Sequence, residues 1–217
     1  NLPDLPVSLE INQNLYDLLI QASNSLVALK EIGKSIPNEE VLIHPISLHE
    51  AKDSSEIENI FTTNDALYSY DPEDKSQSLS GTAKEVYMYR EALFLGIEKL
   101  QEKEFICTND IIEIGNKIIS TNSGIRKLPG TVIADKTSGE VIYTPPEGED
   151  LIRGKMQNLE EYFNSTDKEI HPLVKLAVIH YQFEAIHPFY DGNGRTGRIL
   201  MILYLIKHSL LEVPNIF

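Results

Sequence analysis

Twelve residues, His187 to Arg198 (HPFYDGNGRTGR), hold the groups most able to do chemistry in this chain. His187 is the one group of the stretch that titrates near neutrality, which makes it the candidate general base. Asp191 offers a hard carboxylate oxygen of the kind Mg²⁺ takes alongside phosphate oxygens. Gly192 and Gly194 allow the backbone to fold closely around a ligand and turn its N–H groups toward it. A helix starting at this turn would point its unpaired N–H groups and the positive end of its dipole into the loop. That is an anion site, and phosphate is the usual anion. Arg195 and Arg198, three apart on such a helix, can lean over one patch. Base, cation ligand and phosphate cradle together describe a nucleotide-dependent transfer site. Singly, each residue fits a capped turn between core helices equally well; the conjunction favours the site.

The flanks must hold this turn in place. Leu173–Ile186 and Ile199–Ile206 are too apolar for surface helices, so the spacing predicts two buried helices joined by a tight polar turn, His171-Pro172 opening the first. Upstream, an extended lead-in (NLPDLP) precedes a helix over roughly residues 10–32 with Ile11, Leu15, Leu18, Ala22, Leu26 and Leu29 on one face. SIPNEE breaks it. Ser47 to Glu50 reads as a capping box, which starts the next helix near Leu48. Leu48, Ala51, Ser55 and Glu58 share a stripe of that helix. A carboxylate there needs a partner if the stripe is buried; a solvated helix end is the plainer reading. Residues 62–81 are polar and turn-rich and read as a linker. A helix over about residues 82–103 carries Val86, Tyr89, Leu93, Ile97 and Leu100 on one face, with Tyr87 and Arg90 turned to a nucleotide or to the surface. Thr108 and Asn109 are good caps for a short helix after them. Leu151, Met156, Leu159 and Phe163 define another over 150–164. Between Leu128 and Pro145 two short β-prone runs joined by KTSG read as a hairpin. Its edge could hold an extended segment by strand addition, or the hairpin could be merely packed. The class is mainly α with one hairpin, an N-terminal helical module over 1–75 and a core over 76–217.

Composition narrows the partners. Nineteen basic against thirty-three acidic residues in 217 give a net charge of −14, which argues against nucleic acid bound on a broad basic face. The single cysteine, Cys107, rules out an internal disulfide and a cysteine-based zinc site and reads as a small buried hydrophobe. No apolar run reaches the roughly 18 residues needed to span a bilayer, and no signal peptide opens the chain, so a soluble, cytoplasmic protein is expected. The chain begins at Asn1 and stops at Phe217 just after a helix, so a piece of a longer protein is expected. A homodimer is left open.

The same twelve residues match, at every fixed position, the motif HPFx(D/E)GNGRxxR, and the chain resembles the Fic family. A chance match at nine specified residues is on the order of one in 10¹¹ per starting position. The resemblance covers the core from roughly Thr82 onward and is strongest at residues 187–198. It implies transfer of AMP from ATP to a Ser, Thr or Tyr hydroxyl of a target protein, with release of pyrophosphate. His187 would then take the hydroxyl's proton, and Asp191 through Mg²⁺ would offset charge on the α- and β-phosphates. Asn193 with the Gly192 and Gly194 backbone would hold the phosphates, Arg195 and Arg198 would grip the β and γ groups, and Phe189 would anchor the loop. Gly194 favours AMP transfer, because a kinase relative carries lysine at that position. The hairpin resembles the family's flap, whose first arm here is Leu128, Gly130, Thr131, Val132 and Ile133 and which positions the target. Ser54 to Asn59 (SSEIEN) resembles the (S/T)xxxE(G/N) inhibitory motif, in which Glu58 would pair with Arg198 and block seating of the γ-phosphate. Two alternatives stay open: a hydrolase that removes AMP, with Glu58 orienting water, and a nucleotide-sensing interaction module locked by Glu58.

Overall fold

The apolar run after the motif forms the helix around which the others pack. The computed structural model describes residues 2–34, 39–70, 79, 81–135, 137–166 and 170–212, the side chains of 39–42 aside. Among them are eight helices: α1 (Gln13–Gly33), α2 (Glu39–Ile57), α3 (Asn64–Tyr68), α4 (Gly81–Lys103), α5 (Thr108–Ile119), α6 (Glu149–Asn164), α7 (Pro172–Ile186) and α8 (Asn193–Lys207). Strands β1 (Ile133–Ala134) and β2 (Val141–Tyr143) form one antiparallel ribbon between α5 and α6. The mainly helical class with a single hairpin is thus the observed one.

α8 touches α2, α4, α5 and α7. A helix ringed on so many sides must be apolar nearly all round, and Ile199, Leu200, Ile202, Leu203 and Tyr204 are all buried. α7 lies between α8 and α6 and contributes Leu176, Ile179, Phe183 and Ile186 to the same core. α4 joins α2, α5 and α8, and its predicted face of Val86, Tyr89, Leu93, Ile97 and Leu100 is buried.

Several local expectations are corrected. The helix expected from Leu48 is already running at Glu39, with Pro45 inside it. Ser47 Oγ donates back to the His44 carbonyl instead of capping, and Glu50 accepts the Tyr89 hydroxyl at 2.9 Å across the α2–α4 contact. On α1, Leu15, Leu26 and Leu29 of the expected stripe are half-buried, but in the middle of the helix Leu19 is buried while Leu18 and Ala22 are exposed. Part of the expected linker is α3, capped by Thr63 Oγ1 on the Ala66 N–H; most of 71–80 lies outside the described residues, as does 35–38 of SIPNEE. Cys107, not Thr108, is the N-cap of α5, and its thiol is half-buried and donates to Asp110. On α6 it is Ile152 that enters the core, and Leu151 faces out.

Candidate active site

α7 ends where His187 takes a left-handed conformation (φ 49°, ψ 60°) and donates its N–H to the Phe183 carbonyl. Five residues later Gly192 (φ 79°) caps α8, so Asn193, Gly194 and Arg195 open a helix with no carbonyl available to their N–H groups. Between the two helices the loop is cross-tied. Asn193 Oδ1 accepts the Phe189 N–H at 2.9 Å, and its Nδ2 donates to the Phe189 carbonyl at 2.8 Å. Both ends of that amide are therefore engaged within the loop. Phe189 is buried against α5, where a Cβ on Gly115 would lie 2.7 Å from its ring.

The two arginines part company. Arg195 is buried and directs its guanidinium to Glu85 (3.5 Å) and Asp191 (3.6 Å). Arg198 turns to α2: Nε donates to Ser54 Oγ at 2.6 Å, and Nη2 to the Ser54 carbonyl at 2.8 Å and Glu58 Oε1 at 3.1 Å. The expectation that both lean over one patch is thus replaced by two separate sets of partners. Asp191 leaves its side chain 74% exposed while Oδ1 accepts the Gly192 N–H at 2.6 Å.

Glu58 sits just beyond the last residue of α2. The end of that helix is a Schellman motif, with Ile60 N–H on the Ser55 carbonyl and Asn59 N–H on the Glu56 carbonyl. Asn59 occupies the left-handed position (φ 64°), which glycine and asparagine tolerate best. That is the physical content of the G/N alternative following the glutamate. The turn carries the Glu58 carboxylate over α8's first turn, so close that a Cβ on Gly194 would meet Oε1 at 2.3 Å. A side chain at 194 and this placement of Glu58 exclude each other.

Glu184 Oε1, Arg195 Nε and Thr196 Oγ1 are buried without a hydrogen bond. Burial holds the His187 imidazole below its ordinary range, and the Arg126 charge adds to this, while the Glu184 carbonyl and the Glu58 carboxylate pull it back up. Burial pushes the Glu184 carboxyl up to about 7 against the pull of Arg198. Glu50 is raised for the same reason.

Arg126 is a site residue that the sequence reading missed. It is fully buried; Nε donates to the His187 carbonyl at 2.7 Å, Nη2 reaches the Pro146 carbonyl, and its backbone N–H donates to the Pro188 carbonyl at 2.9 Å. It thereby ties the residues before and after the hairpin to the turn that carries His187. An arginine in a polar stretch before a hairpin gives no sequence cue that it is buried. Arg90, by contrast, binds Ser47 and His44 on α2 and stacks over Phe94, so it serves the α2–α4 contact. Of the expected flap arm, Leu128 and Val132 are exposed, Gly130 donates its N–H to Glu147, and Ile133 pairs with Tyr143. Among the described residues no group of three or more His, Cys, Asp or Glu side chains could hold a metal ion, and no helix is long and apolar enough to cross a membrane.

The Fic/DOC family N-terminal profile matches residues 16–98, and the Fic/DOC family profile matches residues 105–205. The chain belongs to the Fic/DOC family. A protein of Nematostella vectensis named protein adenylyltransferase Fic is 34% identical over 113 residues, covering 50% of this chain and 25% of that protein. A probable protein adenylyltransferase of Aquifex aeolicus is 34% identical over 132 residues, covering 61% of this chain and 38% of that protein. The chain thus spans between a quarter and two-fifths of these relatives. In fold it is similar to Fic-1 of C. elegans (TM-score 0.66, 20% identity, 90% of this chain and 59% of that one). It is similar also to a Fic domain containing signaling protein of Bacteroides thetaiotaomicron (TM-score 0.65, 21% identity, 89% and 72%).

Proposed function

We propose that this chain is a protein adenylyltransferase that moves AMP from ATP to a Ser, Thr or Tyr hydroxyl of a target protein and is held inactive by Glu58. The observation that carries the reading is the meeting, on one turn, of a histidine kept neutral by burial and a helix N-terminus with free N–H groups. His187 Nδ1 is buried, which leaves Nε2 to take the proton of the incoming hydroxyl. The hydroxyl oxygen bonds to the α-phosphorus, the α–β anhydride bond breaks, and pyrophosphate leaves. The first-turn N–H groups and Arg195 stabilise charge on the phosphates, and Arg198 grips the γ group once it is released. Positioning and charge stabilisation supply most of the rate in such transfers, with a general base adding about 10²–10⁴-fold.

Asp191 fits a Mg²⁺ that is bound mainly through substrate phosphates: it is the one carboxylate of the loop and is largely exposed. Bound there, the ion would offset charge on the α- and β-phosphates. The hairpin, with Leu128, Val132, Val141 and Ile142 all exposed, is the surface on which the target segment would lie by strand addition. Introducing proline at Ile142 removes a backbone donor and is expected to lower transfer to a protein acceptor far more than ATP binding.

The inhibitory part of the reading rests on Glu58, whose carboxylate lies where a phosphate would contact α8 and Arg198. Incubation with α-labelled ATP and Mg²⁺ separates the candidate activities. Label retained on protein supports transfer. Loss of AMP from a pre-modified protein, without labelling, supports the hydrolase. Binding without either leaves a sensor.

A further inference from the structure

The motif HPFx(D/E)GNGR leaves one position before its acid unspecified, and here Tyr190 fills it. Its side chain is not idle. The phenol oxygen accepts the backbone N–H of Lys127 at 2.9 Å and of Leu128 at 3.0 Å, while the residue is 49% exposed. Lys127 and Leu128 open the arm that leads into the hairpin, and Leu128 itself is 68% exposed. Two incoming donors use both lone pairs of a phenol oxygen, so its own proton points away from them. The same two donors hold the phenol below its ordinary titration range.

One residue upstream, Arg126 fastens the same root from the inside through the His187 and Pro188 carbonyls. The hairpin root is therefore held twice against the 186–190 turn. Arg126 is the buried tie, whose loss would leave carbonyls unpaired in the core. Tyr190 is the outer tie, and it can be cut without opening a buried site. A phenylalanine there keeps the ring and leaves two N–H groups to water; no shorter polar side chain spans the same gap.

We propose that Tyr190 is a positioning residue that sets the height of the hairpin over His187, and with it the register in which a bound protein segment presents its hydroxyl. This rests on the adenylyl-transfer reading above. The geometry required is narrow, since a misplacement of about 1 Å can cost on the order of 100-fold in rate. Its effect falls on the acceptor and not on the nucleotide, because the tie reaches the hairpin and no phosphate-binding group.

The test compares Tyr190→Phe with tyrosine at that position, both in Glu58→Gly protein, using labelled ATP, Mg²⁺ and the His187→Ala chain as acceptor. The expected result is an acceptor kcat/KM lowered roughly five- to thirtyfold with the KM for ATP within about twofold. Amide hydrogen exchange at Lys127 and Leu128 should quicken at least about tenfold, while the Arg126 amide stays protected. An unchanged acceptor kcat/KM overturns the proposal, and so does a comparable rise in the KM for ATP, which would mean a damaged loop. If Glu58→Gly protein with Tyr190 intact transfers no AMP, the adenylyl-transfer reading falls and the proposal with it, whereas exchange at the two amides still reports whether the tie exists.

Discussion

Glu58 Oε1 stands 3.1 Å from Arg198 Nη2 and directly over the Cα of Gly194, so one carboxylate covers both an arginine and the opening turn of α8. An anion at a helix N-terminus is stabilised by the unpaired N–H groups and the dipole. On the proposed reading, Glu58 competes for the place that a phosphate would take. Glu58→Gly is expected to raise self-labelling from ATP more than about tenfold, and adding His187→Ala should abolish it again. On the same reading Arg198→Ala would remove the lock and the γ-phosphate grip together and should show only weak labelling. Labelling by Glu58→Gly no faster than by the unaltered chain would reduce the contact to an ordinary ion pair.

Asn59 aims Glu58 by turning the chain at φ 64°. Glycine accepts that conformation freely, whereas a β-branched residue opposes it by about 1–2 kcal/mol. Asn59→Gly should leave both stability and inhibition near those of the unaltered chain. Asn59→Val should lower thermal stability and raise basal labelling, because the Schellman turn that carries Glu58 is strained. Equal labelling by the two variants would show that the turn does not aim the carboxylate.

His187 should be neutral over the physiological range, since burial and the Arg126 charge depress its titration. The acid limb of kcat/KM is therefore expected below the ordinary histidine value of about 6.5. Glu58 pulls upward on the same imidazole, so removing it lowers the midpoint further. A pH–rate profile of Glu58→Gly protein with its acid limb above 6.5 would contradict the assignment.

Glu184 gives a stability signature of its own. Its folded-state titration lies near 7 against 4.5 when free, so the native state holds a proton that the unfolded chain releases. Stability then falls as pH rises from about 4.5 to 7 and is flat above. The full shift corresponds to roughly 3 kcal/mol, and partial exposure reduces this to about 1–2 kcal/mol. Glu184→Gln should be more stable than the unaltered chain by that amount at pH 8 and nearly equal to it at pH 5, as denaturant unfolding would show. An equal difference at both pH values would place the effect in packing instead of ionisation.

Much of this architecture is readable one segment at a time. The all-apolar flanks of the motif announce buried α7 and α8, and Gly192 with Asn193 announces the tight turn between them, because backbone freedom and hydrophobicity are properties of single residues. Helix ends were less legible. The expected start of α2 rests on Ser47 and Glu50 as a capping box, whereas contact with α4 draws Glu50 to Tyr89 and the helix is already running at Glu39. On α1 the expected face holds at Leu15, Leu26 and Leu29 and slips only in the middle, where Leu18, Leu19 and Ile20 are all apolar and packing decides that Leu19 is the buried one.

By itself the sequence marked out the motif loop and its candidate base, which depend on residue type at fixed local spacing, and its SSEIEN resemblance named Glu58 as the carboxylate to set against Arg198. Only the tertiary structure decided how the groups are shared: Arg195 drawn inward to Glu85 and Asp191, Asn193 tied within the loop, Glu58 laid over Gly194. It also brought in Arg126 and Tyr190, more than 60 residues apart in sequence, as the two ties of the hairpin to the base-bearing turn. The reason is physical. A hydrogen bond between distant segments is set by the packing that brings them within about 3 Å, and local sequence carries no record of that distance.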